Sequence, residues 1–267
     1  MKFGIFDHLE RRDDVPAGEQ YRQRLELAAQ ADAAGIYCYH VAEHHHSPLC
    51  LAPNQAVFLS AVAARTERLR FGPLVYVLPL HHPIRLIEEI CMVDQLSDGR
   101  LEIGVGRGTS GGEEFVMWGG DANEGDSRFE ETLGLLLQGL QSEFLSFHGE
   151  HFDYQDLWMA LRPRQTPHPP FWWPGSPEQA ARRDMNYICA GPIRRVAKLL
   201  DVYRTAWQEH GWADTAMADV IDEPLCGASK HVYLADTDAE ALGERGTRLR
   251  ELSQPLPQAT SARRRVG

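Results

Sequence analysis

Short apolar runs alternate along this chain with longer segments whose apolar positions recur at helical spacing. Lys2–Phe6 predicts a strand, and Glu19–Ala34 a helix that ends at Gly35. Ile36–Ala42 is β-branched and aromatic and predicts a second strand. Asn54–Arg65 is a small-residue helix, and Leu69–Pro79 a third strand. Pro83 opens the next helix at its first turn, where a missing N–H costs nothing, and that helix runs to Leu96. Leu101–Gly106 is strand four and Phe129–Ser142 a helix. Phe171–Trp173 and Met185–Ala190 give weaker strand signals, Pro192–His210 is a long helix, and His231–Leu234 is one more strand.

Repeated strand–helix units imply parallel strands joined by crossovers, and near-continuous apolar strands imply a sheet covered on both faces. A doubly wound sheet and a barrel both satisfy the pattern, and periodicity does not choose between them. Two segments break the rhythm, Phe147–Pro170 and Trp212–Ser229, and in a barrel they would extend the loops of the active-site face.

Composition narrows the function classes. The formal net charge of -11 repels phosphate backbones, which argues against a nucleic-acid partner. Five widely spaced cysteines without a C-x-x-C argue for a reducing compartment and against a disulfide framework or a thiolate zinc site. With no apolar run of membrane-spanning length and no signal-peptide core at Met1–Asp7, a cytoplasmic protein without membrane attachment is expected.

Three places could carry chemistry. His40-Val41-Ala42-Glu43-His44-His45-His46 lies where strand two ends, and parallel α/β folds put catalytic groups at such ends. A carboxylate and several imidazoles there could act as a general base or orient a cofactor. Neighbouring residues of an extended segment point to opposite sides, so they do not converge on one metal ion, and no metal is expected. The plain alternative is a solvated polar loop. Gly104-Val105-Gly106-Arg107-Gly108, ending strand four, combines a backbone free to approach a ligand with a forked cation suited to phosphate. Its overlap with G-x-G-x-x-G is fortuitous, because no first βαβ unit surrounds it. In Phe171-Trp172-Trp173-Pro174-Gly175-Ser176, a Gly-Ser turn could hold a phosphate and the tryptophans could flank a planar ring, although buried packing is the commoner role of such aromatics.

Together these pieces resemble the bacterial luciferase-like flavin-dependent monooxygenase family. The resemblance lies in HVAEHH (40–45), VLPLHHPIRLIEEICMVDQLSDGRLEIGVGRG (77–108), PHPPFWWPGS (167–176) and HVYLADT (231–237). It implies a TIM-type (β/α)8 barrel that uses reduced FMN, or in one branch the deazaflavin F420. The FMN enzymes react with O2 to oxidise a small organic substrate and receive reduced flavin from a separate reductase. Carried over residue by residue, His44 is the histidine near the flavin's reactive edge and Glu43 the acid beside it. Arg107 and Gly108 meet the flavin phosphate with Ser176, and Leu74-Val75 falls at a non-prolyl cis peptide under the ring. Gly106 stands where the luciferases proper carry a reactive cysteine, which argues against light emission. A homodimer is a further implication of the resemblance.

The pattern changes after Arg250. Strands start near positions 2, 36, 69, 101, 171, 185 and 231, and Pro255, Pro257 and Arg263-Arg264-Arg265 do not form an eighth. Residues 1–250 are therefore expected to form a barrel domain lacking its closing strand, and residues 251–267 a disordered tail. The expected activity is an FMN-dependent monooxygenase, or its inactive truncated remnant. A non-catalytic flavin-binding protein and an F420-dependent oxidoreductase are the alternatives.

Overall fold

The computed structural model describes residues 1–49, 51–108, 115, 117–210, 224–232 and 234–243. It divides into Met1–Ser229 and Lys230–Gly267. The first unit carries seven successive positions of parallel strand. These are β1 (Gly4–Asp7), β2 (Cys38–Val41), the broken pair β3 (Arg70–Pro73) and β4 (Tyr76–Val77), β5 (Ile103–Gly106), β8 (Phe171–Trp173), β9 (Asn186–Ala190) and β10 (Cys226–Ser229). Between them run α1 (Ala17–Ala33), α2 (Gln55–Ala63), α3 (Pro83–Leu96), α4 (Gly125–Gln141), α5 (Pro177–Arg182) and α6 (Ile193–His210). An antiparallel hairpin, β6 (Phe144–His148) with β7 (Asp153–Trp158), stands outside the parallel series.

Strand order decides what periodicity left open. β1 pairs with β2 and β2 with β3, a Phe71–Leu101 bridge joins β3 to the approach of β5, and β5, β8, β9 and β10 follow in turn. Each position lies beside the next in sequence, with no reversal of order. That is the wall of a TIM-type barrel, whereas a doubly wound sheet reverses direction at a switch point.

The helices cover the wall through apolar stripes. α2 buries Phe58, Leu59 and Val62, α3 buries Leu86, Ile87 and Ile90, and α4 buries Phe129, Leu133, Leu136 and Leu140. Asn54 caps α2 by accepting from Val57 N, and Ser176 caps α5 by accepting from Gln179 N. Two buried carboxylates fasten the loops. Asp32 accepts three backbone N–H groups at Glu67, Arg68 and Leu69, and Asp94 accepts those of Arg164 and Gln165.

Inside the wall sits a polar knot. The Glu102 carboxylate is fully buried and accepts from Arg70 Nε and Tyr37 Oη at 2.6 Å and from Trp172 Nε1 at 2.7 Å, while His40 Nε2 approaches to 3.4 Å. A Cβ on Gly72 would overlap the Glu102 carbonyl oxygen, so β3 and the Glu102 backbone touch only because residue 72 is glycine. Gly72→Ala should therefore destabilise by about 1–3 kcal/mol or more, because backbone rather than a side-chain tip must yield. A lowered midpoint in urea unfolding measures this, and an unchanged midpoint would show that the strands can separate freely.

Three expected elements differ from those observed. Leu69–Pro79 is two strands, interrupted at a cis Leu74–Val75 peptide bond. The Phe147–Pro170 segment, expected as loop, contains most of the β6–β7 hairpin, whose tip is held by Glu131 accepting from Glu150, His151 and Phe152 N–H groups. His231, Val232 and Leu234 of the expected last strand are not in a strand, and among the described residues the last one is Cys226–Ser229. Its Cys-Gly-Ala-Ser sequence carries almost no apolar signal, yet Cys226 pairs with Tyr187 and Gly227 with Ile188, where small side chains fit against β9. In the second unit Thr237 and Glu240 form a reciprocal capping box ahead of a helical turn at 238–243. The altered pattern after Arg250, including the expected absence of an eighth strand and the 251–267 tail, lies outside the described residues.

Candidate active site

A cavity of about 750 Å³ opens at the carboxyl ends of the strands. Every parallel position contributes to it: Phe6 from β1, Ala42 after β2, Leu74 and Val75 after β3, Gly106 from β5, Trp173 from β8, Ala190 from β9 and Ser229 from β10. All seven residues singled out from the sequence line it, namely Glu43, His44, Leu74, Val75, Arg107, Gly108 and Ser176. Its inner wall is largely apolar and aromatic, with Phe6, Val105, Phe129 and Trp173 among the lining residues.

The histidine-rich segment fans out as its extended backbone requires. His40 turns toward Glu102 inside the wall, His45 is buried on Glu43, and His46 is exposed with φ at 51°. Only His44 of the four lines the cavity. Its Nε2 lies 3.2 Å from His8 Nδ1, and the two rings stack with centroids 5.4 Å apart. Burial, and then the neighbouring His8, lower the His44 pKa from its ordinary value, outweighing the opposing charge of Glu43. His44 is thus neutral near pH 7 and able to accept a proton.

Glu43 has a different part from the one expected of it. Its side chain has no solvent exposure. His45 Nε2 lies 2.9 Å from Oε1, His81 Nε2 lies 2.9 Å from Oε2, and Val77 N donates to Oε2 at 2.9 Å. Burial pushes this carboxyl up, but hydrogen bonds from the two imidazoles, the His81 charge and the Val77 N–H together hold it below its ordinary value. A carboxylate so committed orients β4 and the loop that bears His44 rather than trading protons with a ligand. His81 shows the reciprocal effect, since Glu43 raises its pKa against the pull of burial.

The glycines after β5 clear the floor. A Cβ on Gly106 would meet Val75 Cγ2 at 2.6 Å, and one on Gly108 (φ 86°) would meet Val77 Cγ1 at 2.7 Å. Glycine at 106 thus leaves room for Val75 beside the cis bond, and the Val75 carbonyl accepts from Gln55 Nε2 at 3.0 Å. Arg107 and Ser176 both line the cavity. Arg107 is half exposed and paired with Asp126, while Ser176 Oγ donates to Glu178 at 2.7 Å. The tryptophan pair splits. Trp172 points to Glu102, whereas Trp173 lines the cavity and its buried Nε1 has no hydrogen-bond partner among the described residues.

Sequence reasoning missed His8, Gln55 and Asp126. His8 was within reach, because it follows β1 as His44 follows β2. Gln55 and Asp126 lie in helical first turns, where polar residues look like ordinary caps.

A protein-family model described as luciferase-like monooxygenase matches residues 1–265. The chain belongs to the luciferase-like monooxygenase family. It is 44% identical over 209 residues to protein y4wF of Sinorhizobium fredii, an alignment covering 77% of this chain and 60% of that relative. It is also 30% identical over 251 residues to the oxygenase component of a flavin-dependent trigonelline monooxygenase from Acinetobacter baylyi, covering 90% of this chain and 67% of that one. Among solved structures, the monooxygenase RslO1 of Streptomyces bottropensis superposes with a TM-score of 0.83 at 28% identity, covering 94% of this chain and 77% of that one. The oxygenating constituent of a 3,6-diketocamphane monooxygenase of Pseudomonas putida, solved with FMN, shares the fold at 22% identity and a TM-score of 0.77, covering 90% of this chain and 69% of that one. This luciferase-like chain therefore spans about three fifths of the length of its y4wF relative. Among the described residues, no helix is long and apolar enough to cross a membrane.

Proposed function

We propose that this protein is the oxygenase of a two-component system, using reduced FMN from a separate reductase and O2 to oxidise a small organic substrate. The observation that carries the reading is that Glu43, His44, Leu74, Val75, Arg107, Gly108 and Ser176 line one cavity at the carboxyl ends of the strands. The residues present suit a planar, phosphate-bearing cofactor. Arg107 and Ser176, with Gly108 keeping the backbone close, would hold the phosphate. The flat segment Leu74–Val75 would lie under the ring system. Trp173, whose ring lines the cavity, would lie beside it. When bound in reduced form, FMN supplies the electrons that activate O2.

The chain's own residues do the rest. His44 holds or accepts a proton at the reacting end, with His8 as its neighbour, and Glu43 keeps the His44 loop and β4 in register. The apolar wall excludes water and favours a substrate with an apolar body. We place the protein in the cytoplasm beside its reductase, where Cys38, Cys91, Cys189 and Cys226 stay free. A homodimer is part of the same reading.

The test is a thermal melt with oxidised and then reduced FMN, followed by oxygen uptake with reduced FMN and a panel of apolar substrates. FMN at 100 times its Kd should stabilise by about 2.7 kcal/mol, which reads as a rise of roughly 5–10 °C. Substrate-dependent oxygen uptake with product carries the oxygenase reading. Flavin binding without such uptake would leave a flavin-binding protein, and a melt that responds only to F420 would move the protein to deazaflavin chemistry.

A further inference from the structure

Arg107 and Ser176, both lining the cavity, are already engaged by carboxylates that belong to the chain. Arg107 Nη1 lies 2.5 Å from Asp126 Oδ1, with the two side chains 52% and 76% exposed. Ser176 Oγ donates to Glu178 Oε2 at 2.7 Å. A third carboxylate, Glu130, lines the same cavity one helical turn beyond Asp126. It pairs through both oxygens, at 2.8 and 2.9 Å, with Arg183, whose guanidinium lies 5.0 Å over the Trp173 ring. Arg107 and Arg183 are thus each engaged by a carboxylate.

A carboxylate and a phosphate present the same chemistry to an arginine fork or a hydroxyl, namely oxygens with negative charge. A phosphate entering here must turn Asp126 and Glu178 aside and then remain near both charges. We infer that Asp126 and Glu178 are internal competitors that hold down this chain's affinity for the phosphate of its cofactor. This rests on Arg107 and Ser176 being the phosphate ligands. The arrangement favours a cofactor that exchanges readily with a partner over one that stays bound. The released side chains have room to move, because both lie at the exposed rim. Their influence is correspondingly modest and weakens with salt.

The experiment measures FMN and riboflavin affinity by flavin fluorescence, at low and at physiological salt, for wild type, Asp126→Asn, Glu178→Gln, Arg107→Gln and the Asp126→Asn/Arg107→Gln double variant. Riboflavin lacks the phosphate and is the internal control. Asp126→Asn should tighten FMN about two- to fivefold at low salt, the range set by releasing one exposed ion pair, and leave riboflavin unchanged. Glu178→Gln should act in the same direction. The gain from Asp126→Asn should vanish when Arg107 is glutamine. Unchanged or weaker FMN binding in both single acid variants would overturn the inference, as would equal tightening of riboflavin. If Arg107→Gln leaves FMN affinity intact, the phosphate-ligand reading itself fails and takes the inference with it. A weakened Arg107→Gln beside neutral Asp126→Asn and Glu178→Gln variants overturns the competitor role alone.

Discussion

Glu102→Leu should lower stability by about 3–5 kcal/mol, a fall in Tm of roughly 6–20 °C for a chain of this size. The carboxylate lies fully inside the wall, and leucine of similar size would leave Arg70 without a counter-charge and Tyr37 Oη and Trp172 Nε1 without acceptors. Arg70 can turn toward water only by giving up the bonds of its Nη2 to Leu101 O and Gln165 Oε1 and of its Nη1 to Gly99 O. A well-packed apolar replacement of the whole cluster could be neutral, but removal of one member leaves a buried charge, which is the costly case. The same residue predicts a pH dependence. Burial pushes the Glu102 carboxyl up, while His40, Arg70 and Tyr37 outweigh it and hold it at about 2, against an ordinary value of 4.5. A folded-state pKa below the unfolded one gives stability that is fully present above about pH 4.5 and is lost as pH falls toward about 2. The contribution is about 3 kcal/mol at pH 7, and about two fifths of it remains at pH 3. Urea unfolding of wild type and variant at pH 7 and pH 3 should show the gap narrowing by about 2 kcal/mol. A gap independent of pH would mean that Glu102 is not the titrating group.

The barrel was legible because its strands are bounded by helices with strong apolar periodicity, and α3 runs from Pro83 to Leu96 as the sequence predicts. What stayed hidden has a common physical cause, which is dependence on contacts distant in sequence. β10 is a strand because Cys226–Ser229 completes the edge of β9, and four small residues carry no local preference for that pairing. The break between β3 and β4 has no apolar signature, since Leu74 and Val75 continue the run on either side. Of the site, the parts that follow strand ends were readable: Glu43 and His44 after β2, Arg107 and Gly108 after β5, Ser176 after β8. Glu43, expected as a catalytic acid, lines the cavity with its carboxylate engaged by His45, His81 and Val77. Whether a carboxylate exchanges protons or serves as a brace depends on what surrounds it, and His81 and Val77 are more than thirty residues away. The polar knot escaped for the same reason, because a Glu between two apolar residues of a strand reads as a solvent-facing position until the wall closes around it.

His44→Ala should reduce turnover of the oxygenase about 100-fold or more while leaving the FMN Kd within about twofold, because a positioned proton acceptor contributes on the order of 10²–10⁴ to rate. The split follows from position. His44 lines the cavity beside His8 and touches neither Arg107 nor Ser176, so the groups that would hold the phosphate end remain in place. A packing role would give a different result, since the half-buried ring is replaceable by glutamine in size, and His44→Gln would then recover activity. For proton transfer glutamine should recover none. The pH profile separates the two further. Burial and the His8 neighbour keep the charged form of His44 unfavourable, so its pKa lies below the ordinary 6.5. Wild-type activity should therefore hold down to about pH 6.5 and fall beneath it as the imidazole gains a proton, whereas the His44→Ala variant should be flat across that limb. Equal turnover in wild type and variant at pH 7.5 would remove His44 from the chemistry and turn attention to His8, the other imidazole lining the cavity.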